Sequence, residues 1–425
     1  MAVQKHVQDD TMTIAYIITR FPAITETFIL YEMKMLESMG CSIELFPLIK
    51  ENTDTMHPEA VSFFKKMHYV SLFSLKTLSA QFFWLFSRPV EYMQIWLYSF
   101  MYNLTSPKFL SRIFYVIPKA AYFARKMDEL AIPHAHGHYA AHPGLAVYCI
   151  NKLTQATCSI TMHAHDIFVE RPMLRQKLAS AKMLITISNF NRQYIGHLLG
   201  NEVMNKIHIV RCGVDLQLFQ PRMQRSKGSV PVLICVASFK EYKGHKYLFE
   251  ACAMLKQEGI KCRCRLVGDG VLRKQLHEDV IHLKIDDIVE FAGELPREKV
   301  LAELENATVF VLPSVIARTG KMEGIPVALM EAMAMKLPVV ATAISGIPEI
   351  LVNNKNGILI REKNSRELCR AVMSLIADVE YAARLGESAR ATIEQDYDQK
   401  KNVAALYRLF EMNLEKAKHQ PVPEV

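Results

Sequence analysis

One repeated pattern limits what this chain can become. Short apolar runs without internal alternation are each followed by a longer amphipathic stretch. Twelve such runs stand out: Ile14–Thr19, Ser42–Leu48, Pro133–His136, Ser159–His163, Leu184–Ile187, Ile207–Val210, Val232–Ala237, Cys262–Val267, Val289–Ala292, Val309–Leu312, Val339–Ala341 and Ile358–Ile360. Strands covered on both faces are apolar almost throughout, whereas half-exposed strands alternate. The stretches between them supply crossover helices. The pattern therefore predicts βαβ units and an α/β fold of open, doubly wound parallel sheets.

The runs fall into two groups of six. Between them lies Gln220–Pro231, polar, basic and bracketed by Pro221 and Pro231, which reads as a linker. A length of 425 residues suits two domains. The expected organisation is a Rossmann-like domain at residues 11–220, a second such domain at 221–395, and a last helix at 396–420. Ligands of such sheets bind beyond the carboxyl ends of the strands, so two facing domains would share a central cleft.

Composition narrows the class further. Half of the residues are hydrophobic and 22% are charged, which excludes a disordered chain. The longest stretch free of both charged residues and histidine, Tyr92–Pro107, is short of the ~20 apolar residues a spanning helix needs. Residues 1–11 are polar, and Ile14–Ile18 is too short for the core of a signal peptide. The nine cysteines show no CxxC pair, which predicts reduced thiols and a cytoplasmic setting.

Lys plus Arg number 51 against 43 Asp plus Glu, a formal charge of +8 that calls for an anionic partner. The excess is local. Ser71–Lys126 holds seven basic residues and one acid, hence +6, together with both tryptophans and many Phe and Tyr. We read it as two or three amphipathic helices inserted in the first domain. Its composition is that of a helix at an anionic membrane surface. The alternative is that its aromatics are core. Nucleic acid is not an expected partner, because no nucleic-acid motif accompanies the basic residues.

Several loops at strand ends carry candidate chemistry. In Glu323-Gly324-Ile325-Pro326-Val327, a loop enters a helix near Pro326, and Glu331 lies inside that helix. Amides at a helix start suit a phosphate, and a carboxylate there must reach past it to neutral hydroxyls. A solvated helix start with a capping glutamate fits the spacing as well. Lys243, in Lys240-Glu241-Tyr242-Lys243-Gly244, stands at a strand-to-helix turn where it could neutralise a diphosphate or be a surface lysine. Gly268 and Gly270 permit close backbone approach or form a plain turn. In the first half, Thr25, Glu26 and Thr27 follow the first strand and could serve a sugar or phosphate. Histidines cluster at His134, His136, His138 and His142, and again at His163 and His165 beside Asp166. Alternating histidines can share a strand face and hold a metal, but no metal-ligand spacing supports this. A polar cleft lined by imidazoles is the expectation, with His163 contacting the substrate.

Taken in order, these motifs resemble glycosyltransferase family 4, retaining nucleotide-sugar enzymes of GT-B fold, and within it the colanic-acid-type exopolysaccharide branch. Supporting pieces are Arg211-Cys212-Gly213-Val214-Asp215, Lys243-Gly244, Gly268-Asp269-Gly270, Leu312-Pro313-Ser314, Glu323 with Glu331, and Pro338-Val339-Val340-Ala341-Thr342 with Gly346-Ile347-Pro348-Glu349, while Phe21-Pro22 with Thr25-Glu26-Thr27-Phe28-Ile29, and His163-Ala164-His165-Asp166, look most like the exopolysaccharide branch. The likeness runs from Ile14 to about Tyr407. It implies a hexosyltransferase that uses a nucleotide-diphosphate sugar and no cofactor or metal. The acceptor would be lipid-linked or a polysaccharide.

By resemblance, Lys243 would bind the diphosphate and Glu323 the sugar hydroxyls. Backbone amides of Gly324, Ile325, Pro326 and Val327 would meet sugar and phosphate, Pro326 lacking an N–H of its own. Glu331 would bind the ribose, and His163 would lie beside the transferring sugar. Thr25, Glu26, Thr27, His136 and Asp166 would face the acceptor or phosphate. The last helix would cross back to the first domain. Ala237-Ser238 replaces the Gly-Arg frequent in the family, which leaves Lys243, with Lys240 or a more distant cation such as Arg318, to balance the diphosphate, and Lys321 stands near a place where relatives often carry an acid. A sugar-nucleotide epimerase and a non-catalytic sugar-nucleotide scaffold are the competing readings.

Overall fold

The structure, a computed structural model, describes residues 12–22, 27–52, 58–221 and 230–418. All twelve runs form strands. β1 (Thr13–Phe21), β2 (Ser42–Lys50), β3 (His134–His138), β4 (Thr157–Met162), β5 (Met183–Thr186) and β6 (Ile207–Ile209) make a parallel sheet of order β2-β1-β3-β4-β5-β6. β7 (Val232–Val236), β8 (Arg263–Val267), β9 (Val289–Gly293), β10 (Val309–Leu312), β11 (Val339–Thr342) and β12 (Ile358–Ile360) make another, of order β12-β11-β10-β7-β8-β9. In each, the chain starts in the middle, winds to one edge and returns to the other. The reversal leaves a crevice at the carboxyl ends of the strands, where loops diverge.

The chain divides into two compact units. The first holds residues up to Thr186, Ile195–Val210 and everything from Val403 onward. The second holds Ile187–Tyr194 and Arg211–Asn402. The continuous part of the second unit therefore starts at Arg211, ten residues before the position the linker suggests. Val214 bridges Asp398, and Phe219 is buried in the second core, so this segment is already part of that unit. The final helix, Gln399–Lys418, enters the first unit at Val403, and its Leu406 and Phe410 are buried with Ile14, Tyr16 and Ile43.

The first unit carries α1 (Thr27–Ser38), α2 (Leu75–Ser87), α3 (Pro89–Asn103), α4 (Pro107–Glu129), α5 (His142–Leu153) and the one-turn α6 (Ala164–Phe168). The aromatic-basic segment forms α2, α3 and most of α4, and its side chains split. Trp84 is buried, its indole N–H donating to Ala121 O at 2.8 Å, and Tyr92, Ile95, Ile113 and Phe123 are buried as well. In contrast Phe73 is 95% exposed, Leu75 84% and Phe86 80%, and Phe82, Val90, Met93, Leu97 and Met101 are exposed beside them. The core reading of the aromatics thus holds for one face only.

Within this aromatic-basic segment one basic residue leaves the surface. Lys119 is buried, donating to Leu48 O at 2.6 Å, and burial lowers its pKa to about 8. No helix among the described residues is long and apolar enough to cross a membrane. All nine cysteines are free thiols, and only Cys212 is not buried.

Candidate active site

In the second unit, β7 ends at Val236, and a single 3-10 turn, Glu241–Lys243, precedes the helix His245–Gln257. Gly244 joins them at φ +71°, a left-handed conformation that side chains disfavour. A Cβ there would stand 1.9 Å from Pro313 O, so the turn lies hard against the loop after β10. Val315 N–H donates to Tyr242 O at 2.9 Å and ties the two loops. The glycine at 268 is required in the same way: at φ +141° its Cβ would meet Ala237 O at 2.2 Å. Phe239 N–H then donates to Asp269 O, so Gly268 and Gly270 lie along the loop that leads to Lys243.

These loops bring Lys243 to Glu323, Nζ to Oε1 2.5 Å, with side chains only 13% and 9% exposed. Ser314 Oγ donates to the same oxygen at 3.2 Å, and Thr342 Oγ1 holds Ser314 O at 2.6 Å. Ser345 Oγ donates to Glu323 O at 2.6 Å. Burial alone would lower the Lys243 pKa, but Glu323 and then Tyr242 outweigh it and leave it raised. Lys243 is therefore charged.

Gly324 and Ile325 pass close to Gly346, and Pro326 opens the helix Val327–Ala334 with no side chain capping its first amides. Uncapped amides at a helix start and a charged ammonium such as that of Lys243 can each bind an anion. Glu331 lies one turn into this helix. Burial pushes its carboxyl up to about 7, with Arg297 opposing.

Arg318 does not join the group: its side chain is 95% exposed and lies 3.8 Å from Glu241. The second cation near Lys243 is instead Lys321, whose Nζ lies 4.8 Å from the centre of the Tyr242 ring, with Lys243 at 5.1 Å from the same ring. Tyr242, Ser314, Lys321 and Ser345 were not singled out as site residues in the sequence. Ser314 had a signal, because Leu312-Pro313-Ser314 directly follows a strand.

In the first unit, His134, His136 and His138 share one face of β3, in register with Thr157, Ser159 and Thr161 of β4. They do not line a cleft. All three are fully buried, and the final helix covers this face, with Phe410 against His134 and His136. His134 is held by Thr157 and Ser159, each at 2.7 Å; His136 is held by Ser159 at 2.7 Å and Thr161 at 3.1 Å. Burial drops the His134 pKa to about 3 and pushes that of His136 well below the usual range. His136 is thus a neutral core residue, which corrects its assignment to an acceptor or phosphate loop. Potential ligand atoms of Glu32, His136 and His138 lie within 4.8 Å of one another, but both His136 nitrogens are already engaged by hydroxyls.

Asp166 is corrected likewise. It is wholly buried, and its carboxyl accepts Ala140 N–H at 2.6 Å and His163 N–H at 2.9 Å. Burial raises its pKa to about 7 although these amides lower it. It secures the loops around His163 rather than facing a ligand.

His163 stands at the carboxyl end of β4, where it caps α6 in a reciprocal capping box with Asp166. Its ring lies between Phe28 (5.1 Å), Tyr139 (4.6 Å) and His138 (5.6 Å), with 7% exposure left to the residue. Burial and then His138 keep its pKa well below the ordinary value. Thr27 opens α1, whereas Thr25 and Glu26 lie outside the described residues. Glu32 and Tyr16, which approach His138, carried no signal in the sequence.

Comparison with known proteins agrees with this architecture. Residues 219–392 match the family model of glycosyl transferases group 1. Over 410 residues the chain is 28% identical to a protein of Escherichia coli (strain K12) named as the colanic acid biosynthesis glycosyltransferase WcaL, covering 91% of this chain and 97% of that one. It is 35% identical over 194 residues to the amylovoran biosynthesis glycosyltransferase AmsK of Erwinia amylovora, covering 46% of this chain and 48% of AmsK. Among solved structures, HepE of Anabaena in complex with UDP superposes with a TM-score of 0.67 at 15% identity, over 95% of this chain and all of that one. At that identity the likeness establishes the shared GT-B fold.

Proposed function

We infer that this chain, a glycosyltransferase whose second unit carries a group 1 domain, moves a hexose from a nucleotide-diphosphate sugar to a lipid-linked or polysaccharide acceptor, in exopolysaccharide or surface-glycan synthesis. The observation that carries this reading is the buried Lys243–Glu323 pair beside the uncapped start of the 327–334 helix. Transfer requires the bond between the sugar and the diphosphate to break. Charge then develops on the leaving diphosphate. A fixed ammonium and aligned amides in a site shielded from water stabilise that charge with little reorganisation.

The pair also implies an exchange. An incoming diphosphate competes with Glu323 for Lys243, and Glu323, once released, can accept hydrogen bonds from sugar hydroxyls. Glu331 takes the ribose, and at a pKa near 7 it can donate as well as accept. We assign retention of anomeric configuration to same-face displacement, in which the leaving phosphate receives the acceptor's proton. The roles of Lys243, Glu323, Glu331 and His163 in this scheme are proposals, as is catalysis without a metal.

The exposed apolar side chains of α2 and α3 support a further partner, an anionic membrane surface that carries the acceptor at the cytoplasmic face. Lys76 and Arg88 accompany them. The donor is tested by a thermal-shift screen with UDP-, GDP- and ADP-sugars. The correct donor raises Tm by mass action in the parent protein, and that rise is absent in Lys243→Ala. No response to any nucleotide sugar would sink the reading.

A further inference from the structure

We propose that Glu32 and His138 are positioning residues that hold the His163 ring in one tautomer, with its proton on Nε2, through a hydrogen-bond chain across β1, α1, β3 and the start of α6. This rests on the reading of His163 as the group beside the transferring sugar.

The direction of the chain follows from its donors. The Tyr16 hydroxyl donates to Glu32 Oε1 at 2.8 Å, and burial followed by the Glu32 charge keeps that hydroxyl protonated. The same oxygen lies 2.9 Å from His138 Nε2. A carboxylate only accepts, so His138 Nε2 carries a proton. The other end sets the direction: a His163 ring nitrogen accepts the Asp166 N–H in the capping box, so the one proton of that neutral, buried ring sits on Nε2 and His138 Nδ1 accepts it. His163 Nε2 and His138 Nδ1 lie 3.3 Å apart. His163 Nδ1 is left without a proton.

Four segments pack around His163. α1 contributes Phe28 and Glu32, β3 contributes His138, the following loop contributes Tyr139, and α6 contributes Asp166. Asp166 takes the backbone N–H of His163, not its ring. Glu32 reaches the ring only through His138. A ring fixed in tautomer and orientation keeps its contact with the sugar the same in every turnover, and small misplacements of such a group are expensive in rate.

The test uses the full chain labelled with 15N-histidine, and long-range 1H–15N spectra that report each ring's tautomer. His138→Asn and His163→Asn supply the assignments. At pH 7 the His163 ring is expected to be neutral with its proton on Nε2, directed at His138 Nδ1. In Glu32→Ala, His163 should become a tautomer mixture. Turnover of the nucleotide sugar selected by the thermal-shift screen should fall roughly ten- to hundredfold, as when an outer partner of a functional histidine is lost, with donor KM unchanged. Glu32→Gln retains an accepting oxygen and should restore both tautomer and most of kcat.

A His163 proton on Nδ1 in the parent protein overturns the proposal. So does a Glu32→Ala protein with unchanged tautomer and kcat, or a Glu32→Gln protein as slow as Glu32→Ala. If Glu32→Ala does not fold, the parent and Gln spectra still decide. Full transfer by His163→Ala would instead overturn the reading of His163 and leave the tautomer result standing.

Discussion

Lys243 Nζ lies 2.5 Å from Glu323 Oε1, although eighty residues separate them and both side chains are largely buried. Each charge makes the other tolerable. Truncating one partner strands the other, at about 3–5 kcal/mol for a buried pair, whereas an apolar double replacement escapes much of that loss. Lys243→Ala is therefore expected to destabilise the fold by about 3 kcal/mol in urea unfolding, and Lys243→Met with Glu323→Leu by clearly less. Both proteins should lose transfer. A double variant as unstable as the single would show that the pair is not what holds these loops.

Gly244 gives a sharper probe of the same turn. Ala at this position needs a left-handed backbone and drives Cβ into Pro313 O. We expect Gly244→Ala to cost about 1–3 kcal/mol in stability. Its effect on donor binding should be greater, because Lys243 is the next residue. Thermal melts with and without donor check both, and a variant that binds donor normally would refute the required approach.

Stability should fall as the solution is made acidic. The pKa values of His134 (about 3), His142 (about 4), His245 (about 4), His136 and His163 are lowered by burial, so below about 6.5 the unfolded chain takes up protons that the folded chain refuses. Their contribution is complete above that pH and is lost on the way down to the folded values. Asp166 and Glu331, both raised to about 7, act in the opposite sense and favour the fold below their unfolded pKa values. Five histidines outnumber two acids, so the urea midpoint should decline from pH 6.5 to pH 4. His136→Gln should flatten that decline.

The exposed face of α2 and α3 predicts flotation with anionic vesicles. Replacing Phe73, Leu75 and Phe86 by Ser removes three apolar side chains, each worth roughly 1.5–3 kcal/mol if fully buried in lipid. The triple variant should stop floating while its Tm stays unchanged, since these residues are already exposed. Parent protein that remains unbound at low salt would eliminate the membrane partner.

Much of this was legible beforehand because it is local. A strand buried on both faces must be apolar in sequence, and a turn that approaches another loop must carry glycine. The β7–Gly244 and Glu323–Val327 loops could thus be placed at strand ends. His136 and Asp166 were misread for a complementary reason. Both are polar residues at or beside strand ends, and nothing nearby in sequence says whether a helix from residues 399–418 or a backbone amide from Ala140 will cover them.

The sequence by itself determined the twelve strands, their two groups and the loops that hold Lys243 and Glu323, because periodicity and turn chemistry act over a few residues. The tertiary structure alone decided which polar groups face inward and what they meet. It paired Lys243 with Glu323, replaced Arg318 by Lys321 beside Tyr242, and divided the aromatic segment between core and surface. It also linked Tyr16, Glu32, His138 and His163 in one chain. Such contacts depend on strand order and helix packing, which bring together residues that no local pattern relates.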